Sequence, residues 1–413
     1  MTKTKEAALL LSSLSVYRGI LNRSVVGAYY KLLCAADEPV TEFTTAWGTF
    51  FSLLCERGYS DSLARCITKA ALFDENAFSR AAAGGKEREL PPRVIQAVKR
   101  DISALIRVSS LSPETILNDY RFKNELGIVA NNLPKWDIGK PVIEFESENE
   151  ALTALSSFYR KNGCGIFARY RAFIWRNQKI EPVLHPDSIT IDRLFGYEIP
   201  RGLIQNNTSA FVHGLQANNC LLYGDRGTGK SSTVKALLNC YYPEGLRMVE
   251  LPKDRLPEFP LLVEKIALLP LKFIIFIDDL SFSSEDKSYA QLKAVLEGGL
   301  AVRPDNTLIY ATSNRRHIVK ESFSDRDGDD IHHNDTIQES LSLSDRFGLS
   351  VNFSKPDKTQ YLEIVLELAK LYRLSISTDE LLNGAERFAI ERGGRSPRCA
   401  RQYISKVAGQ TMT

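Results

Sequence analysis

Eight consecutive residues, Gly224-Asp225-Arg226-Gly227-Thr228-Gly229-Lys230-Ser231, carry the spacing G-x-x-x-x-G-K-[ST]. Glycines at 224, 227 and 229 let a backbone turn sharply and bring its N–H groups close to an anion. Lys230 would set a point charge on the β- and γ-phosphates of a nucleotide, and the Ser231 hydroxyl would ligate Mg²⁺. The expected nucleotide-binding set runs from Gly224 through Gly227, Thr228, Gly229, Lys230 and Ser231 to Ser232. A glycine-rich turn with a solvated lysine is the competing reading. The apolar Leu221-Leu222-Tyr223 before the loop and the helical run Ser232 to Leu238 after it decide against that, because they put the phosphates on a helix N-terminus.

A second run, Phe273-Ile274-Ile275-Phe276-Ile277-Asp278-Asp279, is an apolar strand that ends in two carboxylates. It would deliver Asp278 to the carboxyl end of a sheet to hold Mg²⁺, and Asp279 to polarise an attacking water. Aspartate is one methylene shorter than the glutamate common at such a position, which leaves the speed of hydrolysis open. Asn314, after Ala311-Thr312-Ser313 and before Arg315 and Arg316, would orient that water or touch the γ-phosphate from a strand between the other two. Two arginines could neutralise charge on the γ-phosphoryl group. Arg346, in Ser342 to Gly348, would reach a neighbouring subunit's site, and Arg398, in Gly394 to Arg398, its own. Each has a structural ion pair as its alternative, and Arg395 is the alternative to Arg398. In the acidic stretch Glu321 to Gln338, His332 and His333 are adjacent and point apart on any regular element, so a shared metal site is not expected there.

These residues need an α/β frame. From about Asp187 short apolar runs alternate with helical segments: Cys220 to Tyr223, Arg247 to Leu251, Phe273 to Ile277, Thr307 to Ala311 and Leu349 to Phe353. The expected fold is a P-loop core with a five-stranded parallel sheet over 187–355. A helical lid over 356–413 would include Thr359 to Leu371 and Arg398 to Val407. Residues 1–135 read as a helical accessory domain, broken at Gly58, Gly84-Gly85 and Leu90-Pro91-Pro92. Ala7, Leu10, Leu11, Leu14, Tyr17, Ile20 and Leu21 there describe one amphipathic helix. Residues 136–186 read as a linker and a helical segment that mixes Tyr159, Arg160, Phe167, Arg169, Tyr170, Phe173, Trp175 and Arg176. Such a mixture can stack on single-stranded nucleic acid. A helix burying Phe167, Tyr170 and Ile174 with its arginines in solvent is the favoured alternative.

Composition excludes little more. At 413 residues the chain needs two or three domains, and 53 basic against 50 acidic residues imply neither a nucleic-acid nor a membrane partner. The seven cysteines are scattered without a C-x-x-C pair and read as reduced thiols. No apolar run approaches the ~20 residues of a membrane helix, so the expected address is the cytoplasm.

In this order the motifs resemble those of an AAA+ ATPase: Walker A, Walker B, a sensor 1 asparagine, a serine-aspartate-arginine finger and a sensor 2 arginine. Ala217-Asn218-Asn219, Tyr223 to Ser232, Ile277 to Phe282, Tyr310 to His317 and Ser342 to Gly348 are similar to a bacterial AAA+ family described only as a domain of unknown function. That resemblance implies a P-loop ATPase core with a helical lid and names no substrate. Its second Walker B acid is also aspartate. Leu194-Phe195-Gly196-Tyr197 resembles the AAA+ segment that packs on adenine, which makes Tyr197 a base-binding candidate. The expected activity is Mg²⁺-dependent hydrolysis of ATP by a homo-oligomer, coupled to remodelling of an unknown protein partner. The alternative is a slow ATP-dependent switch or loader acting on protein or nucleic acid. A small-molecule kinase is disfavoured, because the two arginines would then have no clear use.

Overall fold

The computed structural model describes residues 1–127, 129–144, 147–280, 282–283, 292, 296, 304–314, 319–320 and 346–411. Arg315, Arg316, His332, His333 and Ser342 to Asp345 lie outside the described residues. The chain divides into two compact units, Met1–Arg169 and Tyr170–Thr413. No helix among the described residues is long and apolar enough to cross a membrane.

The first unit is helical: α1 (Lys3–Ser12), α2 (Ser24–Cys34), α3 (Val40–Glu56), α4 (Leu63–Leu72), α5 (Ala77–Ala83), α6 (Pro92–Ser109), α7 (Pro113–Asp119), α8 (Val129–Asn132), α9 (Glu148–Asn162) and α10 (Gly165–Arg169). An aromatic cluster forms its core, with Trp47 and Trp136 at 4.9 Å and Phe43 stacked on Tyr120 at 4.0 Å. Such pairs each add about 1 kcal/mol beyond the area they bury. Three expectations are corrected here. The first amphipathic stretch is not one helix, because α1 stops at Ser12. The wholly buried Asp101 of α6 accepts the N–H groups of Ser15, Val16 and Tyr17 at 3.0, 2.8 and 3.1 Å, and this carboxylate outcompetes a continued helix. Its apolar residues nonetheless turn inward, with Ala7, Leu11, Leu14, Tyr17 and Ile20 buried. The stretch read as a linker is packed, since Trp136 is buried and Leu63 and Ala64 donate to Asp137 and Ile138. Finally, the favoured helix burying Phe167, Tyr170 and Ile174 is corrected, since these three are only half-buried and Phe173 and Trp175 turn inward instead.

The second unit opens with a β-hairpin where a helix was expected. Strands β1 (Ala172–Arg176) and β2 (Lys179–Pro182) are antiparallel, with Phe173 and Trp175 alternating into the core. The remaining strands are β3 (Cys220–Gly224), β4 (Leu246–Glu250), β5 (Lys272–Ile277), β6 (Phe282–Ser283), β7 (Thr307–Ser313), β8 (Val319–Lys320) and β9 (Leu349–Phe353). The main sheet runs β2-β1-β4-β5-β7-β3-β9, and β6 and β8 pair separately. The fold is therefore α/β with a mixed seven-stranded sheet, not a five-stranded one. The five expected strands are parallel neighbours, and β1 adds to β4 in parallel, carrying β2 with it. Five consecutive residues of β5, Phe273 to Ile277, are buried on both faces, and each such side chain contributes roughly 1.5–3 kcal/mol. Around the sheet lie α11 (Glu198–Val212), α12 (Lys230–Tyr241) and α13 (Phe259–Ile266). After β9 come α14 (Lys358–Leu371), α15 (Thr378–Glu391) and α16 (Pro397–Thr411), which share a core of Tyr361, Ile364, Val365, Leu381, Phe388 and Ile404.

Candidate functional site

Strand β3 ends at Gly224 and α12 begins at Lys230, so the loop between them meets a helix N-terminus. Gly224 has φ 129°, and a Cβ there would stand 2.3 Å from the Phe353 carbonyl oxygen of the paired strand β9. Only glycine fits. Gly227, at φ 78°, passes under the start of α16, and its carbonyl accepts the Arg398 N–H at 3.1 Å. The loop is also tied within itself, because the buried Thr228 hydroxyl donates to the Asp225 carbonyl at 2.8 Å.

Lys230 points back into the loop. Its ammonium donates to the carbonyls of Gly224 and Asp225 at 2.8 and 2.7 Å and to Asn314 Oδ1 at 3.3 Å. Burial pulls its pKa below the usual lysine value, while Asp225, Asp279 and Asp278 act the other way. Strand β7 lies between β3 and β5, as expected, so Asn314 at its end faces both neighbouring sites. The Ser231 hydroxyl donates to Asp278 Oδ1 at 2.7 Å, which places a hydroxyl and a carboxylate oxygen at one point. Asp278 Oδ1 also accepts from the Thr312 hydroxyl. The next residue, Asp279, sits in the left-handed region at φ 51°. Its N–H donates to Thr312 Oγ1 at 2.9 Å and to Asp278 Oδ1 at 3.1 Å, and its carboxylate accepts the Asn314 amide at 2.5 Å. Lys230, Asn314 and Asp279 thus form a continuous polar chain.

These groups line a cavity of about 960 Å³. Its walls include Gly227, Gly229, Lys230, Ser231, Ser232, Asp278, Asp279 and Asn314, with Arg398 opposite on α16. Arg401, Gln402 and Ser405 continue the same face of α16 at helical spacing. Four cations, Arg226, Lys230, Arg398 and Arg401, face two carboxylates, Asp278 and Asp279, so the cavity is net positive. Sequence reasoning missed Thr312, Arg401 and Gln402. Thr312 is two residues before Asn314 and so points to the same face of β7, and Arg401 is one turn beyond Arg398; both signals were present.

Tyr197 lies outside this cavity. It lines an adjoining pocket with Leu194, Gly196, Thr228, Ile364 and Leu368. The ring stacks on Phe353 at 5.3 Å and the hydroxyl donates to the Ser354 carbonyl at 2.6 Å; burial raises its pKa. That pocket holds about 30 Å³, room for a water-sized group. Arg346 precedes β9, half-buried, and is not among the cavity-lining residues. Arg395 is engaged elsewhere, through a bidentate pair with Glu386 at 2.9 and 2.8 Å, which leaves Arg398 as the arginine of its motif that lines the cavity.

A family model described as "Protein of unknown function (DUF815)" matches residues 168–411, more than half of the chain. No curated protein matches. Among solved structures, two variants of RuvB from Thermotoga maritima align with TM-scores of 0.34 and 0.35 at 16% and 15% identity. Each alignment covers 52% of this chain and 63% of that one, so the chain spans less than two thirds of their length. The family model spans more than half of the chain, and the chain belongs to the DUF815 family.

Proposed function

We infer that this protein is an AAA+ ATPase that binds ATP with Mg²⁺ and hydrolyses it to ADP and phosphate, driving a conformational change in a protein partner. The observation that carries the reading is the convergence of Lys230, Ser231, Asp278, Asp279, Asn314 and Arg398 on one positive cavity beside a helix N-terminus. The Ser231 hydroxyl 2.7 Å from Asp278 Oδ1 offers two hard oxygen donors, which suit Mg²⁺ completed by water and phosphate oxygens. Bound there, Mg²⁺ would neutralise charge on the β- and γ-phosphates.

In this reading the loop from Gly224 to Ser232 wraps the phosphates. Lys230 leaves its carbonyl partners for the β/γ oxygens, and Asp279 takes a proton from the attacking water while Asn314 orients it. Arg398 approaches from the lid helices, Tyr197 borders the base, and Arg346 acts on a neighbouring copy. The 30 Å³ of the Tyr197 pocket supports a lid that opens before nucleotide enters.

A second reading, a slow nucleotide switch, is favoured by one contact. Asp279 already accepts the Asn314 amide at 2.5 Å, so the two groups that would hold the attacking water are engaged with each other until the amide turns away. ATP turnover measured across protein concentrations, for the wild type and Arg346→Ala, separates the two. Turnover that climbs with oligomeric mass and is lost in Arg346→Ala supports the shared-site ATPase. Tight ATP binding with negligible turnover at every concentration supports the switch.

A further inference from the structure

Behind the loop that holds Lys230 is a second, separate groove of about 450 Å³. It meets the nucleotide cavity at two residues that line both, Arg226 and Asn314. Three of its wall residues, Arg226, Lys355 and Arg392, are exposed cations that pair with no carboxylate among the described residues. The fourth, Arg395, is neutralised by Glu386. One acid lines the groove, Asp225, and its Oδ2 is already taken by the Lys355 N–H at 2.9 Å. Gly394, at φ 140°, adds no side chain to the wall, and a Cβ there would be in van der Waals contact with Lys355 Nζ at 3.5 Å. A groove with three cations that have no carboxylate partner among the described residues, Arg392 among them resting on the Phe388 ring, and with one occupied carboxylate suits a small, doubly charged oxyanion and not an apolar ligand.

We propose that this groove is a second oxyanion site, which takes inorganic phosphate as it leaves the γ-position and holds it beside bound ADP. The placement argues for that source, because Asn314 and Arg226 lead from the γ-phosphate end of the cavity into the groove. Lys355 and Arg392 then exchange water for two phosphate oxygens, and no bond is made or broken in the transfer. The proposal rests on the hydrolytic reading for the origin of its ligand but not for the existence of the site.

Inorganic phosphate is therefore titrated calorimetrically into the full-length, ADP-loaded protein, for the wild type and for Lys355→Gln/Arg392→Gln, with Lys355→Arg as the charge-retaining control. In a second arm, total phosphate formed after acid quench is compared with phosphate freed into solution. Saturable binding to the wild type, weakened by about tenfold or more in the double variant with ADP affinity unchanged and restored in Lys355→Arg, is the expected result. A lag of free behind total phosphate, lost in the same variant, accompanies it. Equal phosphate affinity in wild type and variant overturns the site, including the case where only thermal stability falls because both cations merely serve the C-terminal end of α15. Phosphate that competes with ADP overturns it as well, by placing the ion in the nucleotide cavity. If no ATP is cleaved, the hydrolytic reading fails in the second arm while the first still decides the site.

Discussion

Lys230→Met separates a phosphate lysine from a structural one. In the structure Lys230 is 6% exposed and gives its three donors to Gly224, Asp225 and Asn314. Methionine keeps the length and removes the cost of burying the charge, but it leaves three acceptors without their donor. Unfolding free energy should fall by about 1–3 kcal/mol, which leaves the variant folded. Binding is different. A unit charge about 4 Å from a phosphate oxygen at an effective dielectric near 20 is worth about 4 kcal/mol. Most of that survives, since Lys230 is desolvated before the nucleotide arrives. A loss of about 3 kcal/mol corresponds to an ATP affinity on the order of a hundredfold weaker. Titration of a fluorescent ATP analogue, with thermal unfolding of the same samples, reads both quantities. An affinity within about threefold of wild type in a folded variant would refute the assignment of Lys230 to the phosphates.

Other substitutions and reagents test the frame. Gly224→Ala forces a Cβ to 2.3 Å from the Phe353 oxygen at φ 129°, so β3 or β9 must shift. A cost of about 3 kcal/mol or more is expected, seen as a melting point roughly 6–10 °C lower and as lost ATP binding, and an unchanged melting curve would show that the loop does not approach β9 as described. The cysteines should divide by burial. Cys34, Cys55 and Cys240 are exposed, whereas Cys66, Cys164, Cys220 and Cys399 are buried, with the Cys66 thiol pushed up to about 12 and Cys164 to about 11 by desolvation. The exposed Cys34 and Cys55 should react quickly at pH 8, the exposed Cys240 more slowly because partial burial and the Glu244 charge raise its pKa, and all seven after denaturation; fast reaction of any buried thiol would contradict this core.

The site was legible where chemistry demands a fixed spacing. The loop from Gly224 to Ser231 reads from sequence because its three glycines all take positive φ and a strand and a helix flank it, as the spacing implies. The core strands read because parallel strands buried on both faces are continuous apolar runs, as in Phe273 to Ile277. The hairpin β1–β2 did not read. Its alternation of Phe173 and Trp175 with Ile174 and Arg176 has period two, but basic residues masked it, and its turn is Asn177-Gln178, both at positive φ. Asparagine is usual in such a turn and glutamine is not. The end of α1 was invisible for another reason: its cause, Asp101, is 86 residues away from Ser15 in the chain. Long-range partners also explain the unforeseen part of the site, since Thr312 earns its role only when β7 lies beside β5 and its hydroxyl meets Asp278.

The most direct measurement is ADP formation from ATP by the purified wild type, with Mg²⁺ and with EDTA, beside Asp279→Asn. The expected result is turnover that requires Mg²⁺ and falls by about a hundredfold or more in Asp279→Asn while ATP binding is retained. Hydrolysis that survives in Asp279→Asn, or Mg²⁺-dependent ATP binding from which the wild type forms no ADP, would contradict the assignment of this cavity as an ATP-hydrolysing centre.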